Sequence, residues 1–475
     1  MSERLQVEVL KHLPKTDDDK IRALLAAELE KQFYKIVVLD DDPTGVQTVH
    51  DVSVYTDWSE ESIRSGFAEK NRLFYILTNS RSFTPAQTET VHREIAETVA
   101  KVADGREFIL ISRSDSTLRG HYPLETRVLR EVLEAKTAMR FDGEVLIPFF
   151  LEGGRYTIGN VHYVRMGDEL VPAAETEFAR DKTFGYTKSD MREYIEEKTG
   201  GAYPASSVTA IPLDMLAAGD AEGVKNLLMH VTGFGKVIVN AASYSHVRTF
   251  CAGLYRAMAA GKRFLFRSAA GFVKELGGVT DQPLLTGAQL RTDNSGRGGI
   301  VVAGSHTSKT TDQLHELMKL APVVPIPFNS DLVLEGDEAL DAEVARCVKL
   351  EEEAILAGKV AVCYTNRKLL SVENDTPESA LLRSVKISTA VQALVGRLTV
   401  TPAFVVAKGG ITSSDVGVKA LQVRRADVMG QIVAGVPVWR TGVESRFPGI
   451  PYVIFPGNVG DAYALRQAVE KLIQA

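Results

Sequence analysis

Short, unbroken apolar runs recur along this chain, each followed by an amphipathic stretch long enough for a helix. Early in the chain they are Lys35–Asp40, Leu73–Asn79, Phe108–Ser112, Glu144–Phe150 and Lys236–Asn240. Later they are Ile300–Gly304, Val360–Thr365, Ala403–Lys408 and Tyr452–Phe455. A strand that is apolar at every position is covered on both faces, and helices returning between such strands make the sheet parallel. Stretches such as Thr88–Val102 and Leu124–Thr137 carry the helical spacing. The pattern predicts an α/β chain.

At 475 residues the chain is longer than one core usually serves, so two domains are expected. Residues 277–299 are rich in Gly, Thr, Asp and Asn and lack an apolar period, which marks them as the linker. The expected organisation is an N-terminal helical extension (1–33), a first domain (34–276) and a second domain (300–475), each domain a mostly parallel sheet flanked by helices. Within the extension, Ile21, Leu24, Leu25 and Leu29 mark one face of a helix over about Thr16–Gln32.

A formal net charge of −6 gives no global basic field for nucleic acid or an anionic membrane. Cys251, Cys347 and Cys363 are dispersed without a CxxC spacing, which argues against a disulfide framework or structural zinc. No apolar leader and no apolar run of about 18 residues is visible, so a cytoplasmic protein is expected.

In a parallel sheet the chemistry collects beyond the carboxyl ends of the strands. Several runs here end in polar clusters. Asp40-Asp41-Asp42-Pro43-Thr44-Gly45 places three carboxylates side by side, a repulsion that a cation or ligand must offset. Its structural alternative is a simple turn with an N-cap. Asn79-Ser80-Arg81-Ser82 ends the next run, where a guanidinium serves as a surface ion pair or a carboxylate clamp. Ser112–His121 is the densest polar stretch: capping of a helix beginning near Tyr122 would explain Ser116 or Thr117, but not Arg113, Asp115 and Arg119 as well. Pro148–Thr157 again joins a strand end to a Gly turn and an Arg, and Pro172–Asp181 reads as a short solvated loop leading into a helix.

In the second half, Ala303–Ser308, Lys408–Asp415 and Phe455–Asp461 are strand, Gly-rich loop and helix junctions, together a candidate phosphate cradle. GxxxxGK[ST], GxGxxG with a trailing acid, HRD/DFG, GxSxG and HExxH are all absent.

Taken in order from Lys35 to Asp461, these clusters resemble the four-carbon acid sugar kinase family. Its ADDxTG opening resembles Asp40–Gly45, and its SR element resembles Ser80-Arg81. Its KxDSTxRG motif, the most specific match, is similar to Arg113–Gly120. The GRxT and VPxxETxFAxD segments resemble those within Pro148–Thr157 and Val171–Asp181. The GSxS, GGxT and terminal GN/GGxG elements resemble Gly304–Thr307, Gly409–Thr412 and Gly457–Gly460. Asp40, Pro43, Arg113 and Thr307 depart from the usual Ala, Leu, Lys and Ser.

The resemblance implies an ATP-dependent kinase for threonate, erythronate or 3-oxo-tetronate, with the acid on the first domain and ATP with Mg²⁺ on the second. It assigns Arg81 and Arg113 to the substrate carboxylate, and Asp41, Asp42, Ser114, Asp115, Ser116 and Thr117 to substrate binding. Asp42 or Asp115 would act as base, with Asp461 a second candidate, and Arg119 would steady the transferring phosphoryl group. Ser305, Gly409, Gly410, Ile411, Thr412, Gly457 and Asn458 would contact ATP; metal ligands are unassigned. A homodimer is a possible assembly. Two other classes stay open: a non-catalytic sugar-acid or nucleotide sensor, and a sugar-acid dehydrogenase or aldolase, for which Lys408 is the one lysine at a strand end.

Overall fold

A computed structural model describes residues 3–14, 16–292, 296–368, 370–372, 375–457 and 459–474. The chain divides into two units, Met1–Gly45 with Asp57–Thr280, and Val46–Thr56 with Asp281–Ala475. Both are α/β with a mostly parallel sheet, as the apolar runs predict.

In the first unit the strands are β1 (Lys35–Asp40), β2 (Leu73–Leu77), β3 (Phe108–Arg113), β4 (Gly143–Ile147), β5 (Thr209–Ile211), β6 (Gly235–Val239) and β7 (Phe264–Ser268). All pair in parallel in the order β5-β6-β4-β7-β3-β1-β2. β1, β2 and β3 are buried at every residue, the physical reason their sequences are unbroken apolar runs. The chain leaves β1 to one side for β2 and returns to its other side as β3. The carboxyl ends of these three strands therefore form a reversal of strand order, the place where open α/β sheets bind their ligands. Helix Pro85–Ala103 begins at a Thr84 capping box and helix Leu124–Lys136 packs beside it. A small antiparallel sheet adds Arg155–Ile158, Val161–Met166, Glu169–Pro172 and Leu5–Gln6. The N-terminal helix spans Asp18–Lys31.

In the second unit the strands are β8 (Ile300–Ala303), β9 (Val323–Phe328), β10 (Val360–Thr365), β11 (Val405–Lys408), β12 (Arg425–Val433), β13 (Val436–Thr441) and β14 (Pro451–Phe455). β14-β11-β8-β10-β9 are parallel, and β13 and β12 continue the sheet antiparallel from β14. The strand Val52–Tyr55 pairs antiparallel along β12, which is why Val46–Thr56 lies in this unit. The core gathers Val301, Val362, Val406, Val453 and Phe455 of the parallel strands with Leu465, Val469 and Leu472 of the final helix, Ala464–Ile473. Among the described residues no helix is long and apolar enough to cross a membrane.

Candidate active site

Asp40 closes β1 directly opposite Arg113, the last residue of β3. Parallel register thus turns two residues 73 apart into neighbours, and Arg113 Nη1 donates to Asp40 Oδ1 at 3.0 Å and lies 3.6 Å from Asp41 Oδ1. Arg81, just past β2, grips Asp41 with Nη2 and Nε at 2.6 and 3.2 Å and reaches Asp42 with Nη1 at 3.1 Å. Thr44 donates its amide (2.8 Å) and hydroxyl (2.5 Å) to Asp42 Oδ1. The three adjacent carboxylates are therefore offset by two guanidiniums, which answers the repulsion evident in the sequence.

Burial sorts these acids. Burial pushes the Asp40 carboxyl up to about 7, with Arg113 opposing and Asp41 and Asp42 adding to the shift. Burial also acts on Asp42, but Arg81 and the Thr44 hydrogen bonds outweigh it and hold Asp42 below the ordinary range. Asp115 behaves like Asp42: against burial, Arg81 and Arg119 keep it ionised. Asp42 (17% side-chain exposure) and Asp115 (11%) are the carboxylates of the cluster that face outward, whereas Asp40 and Asp41 (2% each) are enclosed.

The loop after β3 is shaped by its own polar groups. Arg119 Nε donates to Asp115 Oδ2 at 2.6 Å, and Thr117 Oγ1 donates to the same oxygen. Ser114 Oγ donates to Asp41 Oδ2 (2.7 Å) and lies 3.1 Å from the Arg119 carbonyl. Ser116 holds its carbonyl 2.8 Å from His162 Nε2. The capping alternative fails here: helix Leu124–Lys136 starts after Pro123 without a side-chain cap, too far along the chain for Ser116 or Thr117 to cap it, and Thr117 is turned toward Asp115. Gly120 adopts φ +119°, and a Cβ there would stand 2.4 Å from Arg267 Nη2. Beneath the loop, Arg267 pairs with Glu125 and donates to the Arg119 carbonyl at 3.2 Å, while Ser80 Oγ donates to Glu125 at 2.8 Å. Despite burial, Arg267 and the other donors hold Glu125 down near 2. This pair fixes the loops of β2 and β3 from below.

Residues 172–181 are not a loop entering a helix. They finish the strand Glu169–Pro172 and run through two 3₁₀ turns, Ala173–Glu175 and Glu177–Arg180, which set the Phe178 ring 5.1 Å from the Arg119 guanidinium.

In the second unit, β8, β11 and β14 are neighbours, with Ala303 opposite Lys408 and Lys408 opposite Phe455. Their Gly-rich loops accordingly lie side by side. A Cβ on Gly304 would stand 2.7 Å from Thr412 Oγ1, and one on Gly409 (φ +111°) would stand 3.7 Å from Ser305 Cβ. Gly409 N donates to the Phe455 carbonyl at 2.8 Å. Buried Lys408 joins the loops, its Nζ donating to the carbonyls of Pro456 (2.6 Å) and Gly457 (3.1 Å), and burial lowers its amine to about 7. An amine so engaged is poorly placed for Schiff-base chemistry. Thr307 caps helix Ser308–Leu317, and Gly410–Asp415 opens a helix that widens into a π turn at Val416–Ala420. Gly410 and Ile411 begin that helix, with Ile411 exposed. Asn458 lies outside the described residues.

Residues 36–276 match the model of a sugar-binding N-terminal domain, and residues 300–465 match a nucleotide-binding C-terminal domain. The chain belongs to the four-carbon acid sugar kinase family. It is 23% identical over 229 residues to a D-erythronate kinase of Heliobacterium modesticaldum, a match spanning 46% of this chain and 48% of that one. The chain therefore aligns with about half the length of that curated relative. Two solved structures share the fold: a Haemophilus influenzae protein from a family of unknown function (TM-score 0.60, 16% identity, 92% of this chain and 100% of that one), and a Salmonella typhimurium LT2 protein provisionally described as a tRNA synthase (0.63, 16%, 92% and 99%).

Two arginines near the loops of this family member were not singled out as site residues from the sequence. Arg155 enters the small sheet beside the loop after β3, and Arg367 follows β10. Arg367 donates to Thr311 Oγ1 at 3.0 Å and lies 3.4 Å from the Thr307 carbonyl, while its Nη1 is buried without a hydrogen-bond partner. The available signal was the one used elsewhere: an Arg within a few residues of a buried strand's carboxyl end.

Proposed function

We propose that this chain is an ATP-dependent kinase that transfers the γ-phosphate to a hydroxyl of a four-carbon sugar acid of the threonate, erythronate or 3-oxo-tetronate type. The observation that carries the reading is the ion-pair lattice of Asp40–Asp42 and Asp115 with Arg81, Arg113 and Arg119, built at a strand-order reversal inside the sugar-binding match. Such a lattice presents ionised, oriented carboxylates to hydroxyl groups without needing water to stabilise them. The D-erythronate kinase relative supports the acceptor class.

Asp42 and Asp115, outward and ionised, accept hydroxyl hydrogens of the acceptor, and one of them takes the proton of the attacking oxygen. Asp41, Arg81, Arg113, Ser114, Ser116 and Thr117 hold those two acids and the loop in place. Arg119 sits on the outer side of Asp115 and is the cation for the transferring phosphoryl group. Ser305, Gly409, Gly410, Ile411, Thr412 and Gly457 form the cradle for the triphosphate, and Arg367 adds a guanidinium beside it. Among the described residues no group of three or more His, Cys, Asp or Glu is arranged to hold a metal ion by itself. Mg²⁺ would be held mainly by the substrate phosphates and water, with one or two protein carboxylates, and would supply charge neutralisation on the phosphates.

An ADP-release assay with Mg-ATP and a panel of tetronates tests the reading. Turnover on at least one acid is expected. ATP binding without turnover on any acid would favour the sensor, and no ATP binding would exclude the kinase. Asp115→Asn should lower kcat by about 10³-fold with nucleotide Kd within about twofold; a weakened nucleotide Kd would show that Asp115 serves the wrong substrate.

A further inference from the structure

Most arginines around the strand ends of the first unit have an ionic partner. Arg81 holds Asp41 and Asp42, Arg113 holds Asp40, Arg119 holds Asp115 and Arg267 holds Glu125. Arg155 differs. No carboxylate among the described residues pairs with its guanidinium, and its Nε, like that of Arg113, is buried without an acceptor. Burial works against its charge, and the leading compensating charge, Asp115, is already engaged by Arg119.

Its position follows from the hairpin that carries it. Arg155 stands opposite Val164 and Thr157 opposite His162, so Arg155, Thr157 and His162 project from one face. The His162 ring ties that face to the loop after β3, with Nε2 2.8 Å from the Ser116 carbonyl and Nδ1 3.0 Å from Thr157 Oγ1. Gly154 (φ +72°) makes the reversal that delivers Arg155, and a Cβ there would stand 2.7 Å from Arg165 Cβ. Beyond it, the Phe178 ring lies 5.1 Å from the Arg119 guanidinium and 5.8 Å from that of Arg155. Two cations thus flank one ring beside Asp115, and one of them lacks an anion.

We propose that Arg155 receives the carboxylate of the sugar acid and is the residue by which the site selects an acid over the neutral polyol of the same length. The proposal rests on reading this site as that of a sugar-acid kinase. A half-buried guanidinium without a counter-ion is unfavourable, and a carboxylate ligand bound through the planar fork offsets that cost. Arg81 and Arg113, assigned to the carboxylate by resemblance, are instead occupied by Asp40, Asp41 and Asp42. Arg155 is a specificity residue and takes no part in proton transfer.

Two acids, D-erythronate and L-threonate, and their polyols, erythritol and L-threitol, provide the test. Steady-state kinetics and calorimetry are run on the full chain, with nucleotide affinity as the control for folding. Arg155→Met is expected to raise KM and Kd for the preferred acid about 100-fold, with kcat within about threefold and polyol affinity unchanged. Arg155→Lys should recover part of the loss, since it restores charge without the fork. Equal losses on acid and polyol, or an unchanged acid Kd, overturn the proposal. A wild-type chain that binds an acid through Arg155 but transfers no phosphate overturns the kinase reading and supports this one. A chain whose Arg155→Met variant phosphorylates the acid with unchanged KM does the reverse. Wild-type binding of neither acid overturns both.

Discussion

Asp40 is enclosed among Arg113, Asp41 and the turn that follows it, and Gly45 is what leaves it room. A Cβ on Gly45 would stand 1.9 Å from Asp40 Oδ2 and 2.3 Å from its Cγ. Gly45→Ala must displace the carboxylate from Arg113, whose Nε already lacks a partner. A loss of about 3 kcal/mol in urea unfolding is expected, against about 1 kcal/mol for Gly449→Ala, where φ is +74° and nothing lies within 4 Å. Similar losses at the two sites would refute the crowding argument. A second residue sets a pH dependence. Burial raises the Glu351 carboxyl to about 8, a shift that the neighbouring Cys363 thiol opposes only in part. Its folded-state pKa lies above the unfolded value, so the folded chain binds the proton more tightly and stability falls as pH rises from about 4.5 to 8. Glu351→Gln should match wild type near pH 4.5 and become the more stable by a few kcal/mol at pH 8. A pH-independent gap in Tm would contradict this.

At the scale of elements, strand ends carry both candidate sites, for one reason. The strands are buried on both faces, so polar side chains appear only where the chain leaves the sheet. In the second unit the loops after β8, β11 and β14 are joined by Lys408, whose two hydrogen bonds reach the loop after β14 from the end of β11. Lys408→Met keeps the volume and removes those bonds. Nucleotide Kd should weaken about 30-fold, from two hydrogen bonds worth about 1 kcal/mol each, with acid affinity unchanged. Calorimetry with ATP and with the acid separately would detect the asymmetry, and an unchanged ATP affinity would deny Lys408 this role. Two of the strands not foreseen from the sequence are instructive in the same terms. β9 is an edge strand with alternating exposure and two prolines, and β5 is only three residues long, so neither presents an unbroken apolar run. The helix that follows the loop of β11 widens into a π turn over Val416–Ala420, a distinction that hydrophobic spacing over so few residues does not make.

At the scale of the molecule, the second unit is discontinuous in sequence. Val52–Tyr55 covers the edge of β12, Gln47 Nε2 donates to the Gly435 carbonyl at 3.1 Å, and Asp51 N donates to the Val428 carbonyl at 2.7 Å. A fragment of residues 281–475 loses this cover and exposes an unpaired edge. It is expected to aggregate or melt lower than the same fragment supplied with a peptide of residues 46–56, as read by gel filtration and thermal denaturation. Indifference to the peptide would show that the edge needs no partner. What the sequence determined by itself was local in origin: apolar runs long enough to be strands, the α/β class, and polar or glycine-rich exits where ligands can approach. Those follow from nearest neighbours along the chain, and the Asp40–Gly45, Arg113–Gly120 and Gly409–Thr412 clusters were legible for that reason. Only the tertiary structure decided which charge meets which. Strand order sets β1 between β2 and β3, so Arg113 and Arg81 are engaged by the aspartates of β1's exit, while the hairpin leaves Arg155 without one. Ion pairing depends on neighbours in space, and in a parallel sheet those neighbours lie a whole crossover apart in sequence.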